Sequence, residues 1–302
     1  MVVTLLSGQL GNTMFQYAVV KTIAEEKGIP FRYYRIPTPL VNSTDAVKGS
    51  ELDTIFHIPS DEKVTNTHFC TEQYNEPSSK ERAHPGYKQR LFEAIHENQI
   101  VSGLFATPEL IEHNLPNIRR WFTLPEPAVI KAQNFLRQSI TNSQKTCSVH
   151  FRVGRDYFSL GYRLHSSYWI KAAREVLRRH PDTHFICVYD KRSKAVANFV
   201  QQFQATEYHS SLVDDMALLA QTDINIVCNS TFSILGALLN PENILTICPS
   251  IYPPLDADTA KTTYSRHWIR IPDTRRDLLS KYALVLRNAI KRILCICRLR
   301  QP

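Results

Sequence analysis

Strand-like and helix-like segments alternate through the second half of the chain, and this alternation limits the architectures that the chain can adopt. The strand-like segments are short and almost entirely apolar, which is typical of a sheet covered on both faces. In chain order the segments are strand 146–153, helix 166–180, strand 184–189, helix 193–202, edge strand 207–209, helix 214–221, strand 224–228, helix 231–239 and strand 244–248. This order predicts a parallel, doubly wound α/β sheet with right-handed crossovers, whose ligands bind beyond the carboxyl ends of the strands.

The first half begins with the same pattern and then loses it. Residues 2–6 and 31–34 have the composition of strands, and residues 14–27 have the periodicity of a helix between them. Residues 37–67 and 70–85 carry no clear period and are expected to form loops with short helices. The opening strand–helix–strand unit therefore predicts a second parallel sheet.

The boundary between the two halves is expected near residues 141–144, where periodic structure stops before a new strand begins. Residues 111–122 before it are expected to be helical. A chain of 302 residues with 43% hydrophobic residues can bury two cores. We therefore predict an N-terminal domain over 1–143 and a C-terminal domain over 144–302.

Cysteine usage and hydropathy restrict the compartment. Seven cysteines, an odd number without C-x-x-C pairs, argue against a disulfide framework or a structural zinc site and favour a reducing compartment. The first residues resemble a β-strand more than a signal peptide, and no run of eighteen apolar residues occurs. We therefore expect a cytoplasmic protein.

The net charge of +8 is concentrated late in the chain. A nucleic-acid partner is not expected, because the sequence lacks a basic stripe interleaved with aromatic residues and lacks zinc-finger spacing. Attraction to an anionic substrate explains the charge equally well. Residues 273–300 have helical periodicity with basic residues, and two interpretations stay open: a helix that packs back across both domains, or a basic amphipathic face in peripheral contact with an anionic membrane.

The segment 228–236 joins an apolar strand to a helix through small polar residues. Its hydroxyl groups and free backbone N–H groups would form a seat for phosphate at the helix N-terminus. An ordinary Ser/Thr N-cap is the alternative. Upstream, Asp214 and Asp215 could accept hydrogen bonds from a purine base or a ribose, or could serve only to cap a helix.

A second polar segment, 150–157, follows the first strand of the second half. It contains His150, Arg152, Arg155 and Asp156 in a region that is otherwise apolar, which is costly unless an anion binds there. An arginine at this position could bind a pyrophosphate and stabilise the charge of a departing nucleoside diphosphate. The alternatives are a surface ion pair between Arg155 and Asp156, and a buried structural role for His150.

A third segment, 7–18, places a glycine turn between the first strand and the first helix. Its glycines would let a ligand approach the backbone, and Asn12 offers an amide at the helix start. The spacing is neither a dinucleotide fingerprint nor a phosphate-binding Walker loop.

These three motifs, in this order, resemble those of the α-1,2-fucosyltransferases of glycosyltransferase family 11. The residues that carry the resemblance are Gly8, Leu10, Gly11, Asn12, Met14, Phe15, Gln16, Tyr17, Ala18, His150, Arg152, Gly154, Asn229, Ser230, Thr231, Phe232, Ser233, Gly236 and Ala237. The resemblance implies a GT-B fold of two Rossmann-like domains that face each other across a cleft. It also implies GDP-L-fucose as the donor, a galactose-containing glycan as the acceptor and no metal.

The same resemblance assigns roles to residues of this chain. Arg152 would hold the pyrophosphate, and Gly11 and Asn12 would close the cleft from the N-terminal domain. The nucleotide would be surrounded by Asp215, Asn229, Ser230, Thr231, Phe232 and Ser233. Inversion at the fucose anomeric carbon needs a base for the acceptor hydroxyl, and Asp156 and His165 are the candidates. His150 completes the set of catalytic candidates.

The sequence departs from the family motifs at several positions. Arg155 is an extra residue that displaces Asp156 by one position, and Ile234 and Leu235 replace a Trp-Trp pair. A related sugar-nucleotide-dependent transferase with a different donor or acceptor, or a binder without catalysis, is therefore the alternative function. A metal-dependent alternative rests on the D-x-D sequence at 256–258, which we interpret as a solvated loop.

Overall fold

The computed structural model contains two parallel β-sheets, each packed with helices. It describes residues 1–36, 52–68, 70–140, 144–154, 157, 162–251 and 263–272, together with residues 279, 283, 286, 287 and 290. Within these residues no helix is both long and apolar enough to cross a membrane.

The first sheet contains four strands in the order β2-β1-β4-β3, and every pairing is parallel. The strands are β1 Val2–Leu6, β2 Phe31–Arg35, β3 Glu72–Asn75 and β4 Gln99–Ser102. The helices of this half are α1 Leu10–Lys27, α2 Leu52–Ile55, α3 Ser79–Arg82, α4 Tyr87–Ala94, α5 Pro108–Glu112 and α6 Leu115–Trp121, with a 3-10 turn at Ser60–Glu62.

The second sheet contains six parallel strands in the order β10-β9-β8-β5-β6-β7. The strands are β5 Lys145–Phe151, β6 Thr183–Tyr189, β7 Thr206–Tyr208, β8 Ile224–Ile226, β9 Leu245–Pro249 and β10 Ile269–Ile271. The helices are α7 Glu126–Ser139, α8 Ser167–Arg179, α9 Lys194–Phe203, α10 Leu212–Leu219 and α11 Thr231–Leu239. The predicted parallel α/β architecture is therefore confirmed.

Each sheet has a topological switch point, where the strand order reverses. In the first sheet β1 pairs on opposite sides with β2 and β4, and in the second β5 pairs on opposite sides with β6 and β8. A crevice opens at such a point beyond the carboxyl ends of the strands. The segments that follow β1, β4, β5 and β8 are therefore the ones placed to form a ligand site.

Helix α1 connects the two halves. It is buried around most of its circumference because it packs on its own sheet and also on α11 of the second half. One continuous apolar core includes Met14 and Phe15 of α1 together with Ile234 and Leu235 of α11. The Arg119 guanidinium adds a polar link, since it donates to the carbonyl oxygens at Leu238 and Asn240, with its Nη2 3.0 Å from each.

Several sequence predictions need correction. Residues 111–122 contain parts of two helices, α5 and α6, rather than one. Helix α1 begins at Leu10 instead of residue 14, and β10 follows the strand that we expected to be the last. Strands β3 and β4 and helix α7 are elements that the sequence did not indicate.

The predicted domain boundary stays a prediction, because residues 141–143 lie outside the described residues. Helix α7, which precedes this boundary, packs through Ala128, Ala132 and Leu136 on residues of the second half. The predicted helix 273–300 also lies mostly outside the described residues. The five residues that are described between 279 and 290 are helical.

Candidate functional site

A cavity of about 400 Å³ lies at the switch points of the two sheets. From the first half it is lined by Gly8, Gln9, Leu10, Gly11, Asn12 and Leu104. From the second half it is lined by His150, Arg152, Tyr157, Tyr162, Tyr189, Asp190, Leu212, Asp215, Ser230, Thr231 and Phe232. These residues follow β1, β4, β5, β6 and β8 or begin helices, so both sheets direct their carboxyl ends at one cavity.

Arg152 lines this cavity and is held in a fixed position. Its Nη1 donates to Asp190 Oδ2 at 2.6 Å, and its Nη2 donates across the cleft to Gln9 Oε1 at 3.3 Å. The guanidinium carbon also lies 4.8 Å from the centre of the Tyr157 ring. A guanidinium fixed in this way presents a preformed positive charge to an anionic ligand.

Asp190 organises the backbone around Arg152. Its Oδ1 accepts a hydrogen bond from the Val153 N–H, and its Oδ2 accepts one from the Gly154 N–H, both at 2.8 Å. Asp190 thus fixes both the side chain of Arg152 and the turn after β5. Sequence analysis did not place Asp190 in the site, although it follows a buried strand directly, which is the same signal that marked Arg152.

The N-terminus of α11 forms another part of the cavity wall. Ser230 is the N-cap residue, but its side chain makes no capping hydrogen bond. The first-turn N–H groups, including those of Thr231 and Phe232, have no acceptor within the helix and carry its positive dipole end. The Thr231 hydroxyl donates to Asn12 Oδ1 at 2.7 Å, which ties this turn to the first half.

Asn229 and Ser233, predicted to contact a nucleotide, do not line the cavity. Asn229 Nδ2 donates to the Tyr162 carbonyl oxygen at 2.6 Å, and the Asn229 carbonyl oxygen accepts from the Tyr157 hydroxyl at 3.0 Å. The buried Ser233 hydroxyl donates to the Ser230 carbonyl oxygen at 3.1 Å. Both residues shape the segments that line the cavity.

Gly11 and Asn12 act at the junction of the two halves. An added Cβ at Gly11 would lie 2.5 Å from the Phe232 backbone nitrogen and 2.7 Å from Thr231 Oγ1. The sequence predicted that this glycine lets a ligand approach the backbone. In the structure the N-terminus of α11 approaches the backbone there. Both residues also line the cavity.

His150 is buried at the back of the cavity. Its Nδ1 lies 3.1 Å from Cys228 Sγ, and its ring centre lies 5.7 Å from that of Phe232. Burial, together with the nearby charge of Arg152, lowers the pKa of His150 to about 3. With so low a pKa the imidazole is neutral at physiological pH but is too weak a base to take up a proton there.

The two predicted candidates for the base have different outcomes. His165 precedes α8 and does not line the cavity, and its Nδ1 accepts from the Ser167 N–H at 3.3 Å. The same nitrogen lies 2.8 Å from the Ser167 hydroxyl oxygen. Asp156, like Arg155, lies outside the described residues, so its predicted role stays a prediction.

Asp215 lines the cavity near the start of α10. Its side chain is buried, with 8% exposure for the residue, and Oδ1 accepts a hydrogen bond from the Ser210 N–H at 3.0 Å. Burial raises the pKa of Asp215 to about 6 because the carboxylate is removed from water. The neighbouring Asp214 binds Lys131 at 2.6 Å instead, so only one of the two adjacent carboxylates faces the cavity.

Several lining residues escaped the sequence analysis. Gln9, Leu104 and Tyr162 line the cavity but were not predicted. In the described parts of the chain, no cluster of histidine, cysteine, aspartate or glutamate residues is placed to hold a metal. The D-x-D sequence at 256–258 lies outside the described residues, so the expectation of no metal stays a prediction.

The architecture and the site together define a class. Two parallel α/β sheets that direct their switch points at one shared cavity have the GT-B fold of glycosyltransferases. The NodZ α-1,6-fucosyltransferase co-crystallised with GDP has a TM-score of 0.51 and 14% identity, covering 80% of this chain and 92% of its own. POFUT1 in complex with GDP has a TM-score of 0.50 and 10% identity, covering 82% of this chain and 97% of its own. At these identities the likeness shows the fold.

The family follows from the sequence comparison. The family model described as glycosyl transferase family 11 matches residues 1–272. The chain belongs to glycosyl transferase family 11. A comparison with curated proteins gives no match.

Proposed function

We propose that this protein transfers L-fucose from GDP-L-fucose to a galactoside hydroxyl, forming an α-1,2 linkage with inversion and without a metal ion. The observation that carries the proposal is that Arg152 and the N-terminus of α11 line the same cavity. A guanidinium and a helix N-terminus in one cavity suit a diphosphate, because both supply donors to anionic oxygens.

The donor is supported by the rest of the cavity and by the fold neighbours. Asp215 offers a carboxylate that can accept hydrogen bonds from a purine base or a ribose. NodZ was crystallised with GDP, and POFUT1 was crystallised with GDP and with GDP-fucose. A guanosine diphosphate sugar is therefore the donor that we propose.

The proposed reaction needs a leaving group that departs easily. The acceptor hydroxyl oxygen forms a bond to the fucose anomeric carbon, the bond from that carbon to the phosphate oxygen breaks, and GDP leaves with the electron pair. Arg152 and the first turn of α11 would stabilise the negative charge that develops on the diphosphate, which is the role that a metal ion plays in other transferases. The hydroxyl proton passes to a base, for which Asp156 is our candidate.

The substitution Arg152→Ala tests this site. We expect GDP affinity to fall by about 10- to 100-fold, because a charged hydrogen-bonding group is lost, and we expect fucosyl transfer to fall with it. Isothermal titration with GDP measures the affinity. Arg178→Ala is the matched control, since Arg178 is exposed and pairs with Glu175 on α8 at 2.8 Å. Unchanged GDP binding in Arg152→Ala would overturn the site assignment.

A further inference from the structure

A second cavity has a volume of about 230 Å³. Its lining comes from the segments 82–88, 107–112 and 264–266. Leu104 lines the first cavity and Thr107 lines the second, so the segment 104–107 separates the two. The chain from Leu104 to Thr107 spans at most about 11 Å, which is comparable with the length of two linked sugar rings.

The wall between the cavities is built around Glu76. Its Oε2 accepts hydrogen bonds from the N–H groups of Leu104 and Phe105, at 2.8 and 3.0 Å. Its Oε1 accepts from Arg82 Nη1 and from the Tyr87 hydroxyl, each at 3.0 Å. One buried carboxylate therefore fixes the wall and part of the lining of the second cavity together.

The wall also holds a residue in an unfavourable backbone conformation. Phe105 has a φ of 51°, in the left-handed region that bulky side chains rarely adopt. Such a conformation persists only where surrounding structure enforces it, and it is concentrated at ligand sites. Here it turns the chain after β4 so that Leu104 and Thr107 line different cavities.

Two residues that line the second cavity carry buried polar atoms without a hydrogen-bond partner among the described residues. The Thr107 side chain is buried, with 5% exposure for the residue, and its hydroxyl is one of these atoms. Arg82 Nε is the other. Buried polar groups are nearly always paired, and two unpaired atoms on residues that line the same cavity favour a ligand there.

The chemistry of the lining selects the class of ligand. Arg82, Lys88 and Arg266 disfavour a cation, and Glu109 and Glu112 disfavour an anion. A neutral molecule whose groups both donate and accept hydrogen bonds satisfies both sets. Sugar hydroxyls have this property, and the tyrosine rings in the lining offer apolar surface to a sugar ring.

We propose that the second cavity binds the sugar of the acceptor glycan that is joined to the reacting galactose. This assignment rests on the proposed function, because it takes the first cavity as the place of transfer. Thr107 and Arg82 then select acceptors of at least two sugars over free galactose.

The substitution Thr107→Val tests the subsite, because valine keeps the shape of threonine and removes the hydroxyl. We expect the dissociation constant for N-acetyllactosamine to rise by about 3- to 10-fold, while that for galactose stays unchanged. Thr107→Ser, which restores a hydroxyl, should recover much of the affinity. Binding is measured by ligand-observed NMR, with and without GDP.

Thr4→Val is the matched control. Thr4 lies in β1 of the same sheet and also has a buried hydroxyl without a partner among the described residues, but it lines neither cavity. We expect it to leave the affinity for both sugars unchanged. If Thr107→Val behaves like Thr4→Val, or if wild-type protein binds N-acetyllactosamine no more tightly than galactose, the subsite is wrong. A separate titration of each variant with GDP reports on the proposed function, so the two failures are distinguishable.

Discussion

At the scale of single residues, burial sets the charge of two groups that line the first cavity. It lowers the pKa of His150 to about 3 and raises the pKa of Asp215 to about 6. His150 is therefore neutral from about pH 4 upward, and burial of Cys228, its neighbour, raises the pKa of that thiol to about 12. Asp215 alone of these three changes charge near physiological pH.

Asp215 should make donor binding pH-dependent. If its carboxylate accepts hydrogen bonds from the bound nucleotide, affinity for GDP-fucose should fall as the pH drops below about 6, where Asp215 takes up a proton. Titrations between pH 5 and 8 measure this. The titrations should use GDP-fucose and not GDP. The diphosphate of GDP-fucose is esterified at both ends, so the ligand itself does not titrate in this pH range.

Asp215→Asn supplies the control and a second readout. Between the usual pKa of 3.8 and the native pKa of about 6 the folded state binds more protons than the unfolded state, so this group lowers the stability as the pH rises through that window. The variant should therefore be more stable than the wild type at pH 7, by at most about 3 kcal/mol, and its donor affinity should vary less with pH. An unchanged pH profile in the variant would contradict the role of Asp215.

The motifs predicted the neighbourhood of the site better than its contacts. Arg152, Asp215 and Thr231 line the cavity, whereas Asn229 and Ser233 are not part of its lining and bind neighbouring backbone groups. A motif shows which residues follow a strand, and it does not show which side of the turn each side chain occupies. That direction depends on packing against segments far away in sequence.

At the scale of elements, the contact between α1 and α11 sets the position of the start of α1 relative to the N-terminus of α11, and both line the site. Because an added Cβ at Gly11 would lie 2.5 Å from the Phe232 nitrogen, only glycine permits this approach. The sequence indicated a turn at Gly11, whereas the residue lies in the first turn of α1. The reason is tertiary: a glycine within a helix is unfavourable unless another backbone needs the space.

Gly11→Ala should therefore destabilise the protein, although alanine is the better helix former by about 1 kcal/mol. We expect a loss of about 2–4 kcal/mol in the free energy of unfolding, measured by urea denaturation, together with weaker GDP binding as α11 is displaced.

Gly28→Ala is the comparison for this prediction. Gly28 ends α1 with a φ of 64°, and nothing lies within 4 Å of an added Cβ. The cost there should be about 1–2 kcal/mol from the backbone conformation alone, with GDP binding unchanged. If the two substitutions had equal effects on stability and on GDP binding, the close approach of α11 would not be the reason for a glycine at position 11.

The strands that the sequence missed are short or polar. Strand β3 has the sequence Glu-Gln-Tyr-Asn at a sheet edge and is mostly exposed, so it carries no apolar alternation. Strand β10 has only three residues. Both strands form because neighbouring strands offer unpaired backbone groups, which is information that local sequence does not contain.

At the scale of the whole molecule, the two sheets face one cavity because one apolar core connects them through α1 and α11. The alternation of strands and helices predicted each sheet, and the resemblance predicted that the two sheets face each other. The second cavity could not be predicted, since it brings together the segments 82–88, 107–112 and 264–266, which have no common pattern.

The central claim is that this shared cavity binds a guanosine diphosphate sugar without a metal. Calorimetric titration of the protein in EDTA with GDP, GDP-fucose, GDP-mannose and UDP-galactose tests it most directly. We predict binding of GDP and GDP-fucose, and much weaker binding of UDP-galactose. Binding of none of these ligands, or binding that requires added Mn²⁺, would contradict the account.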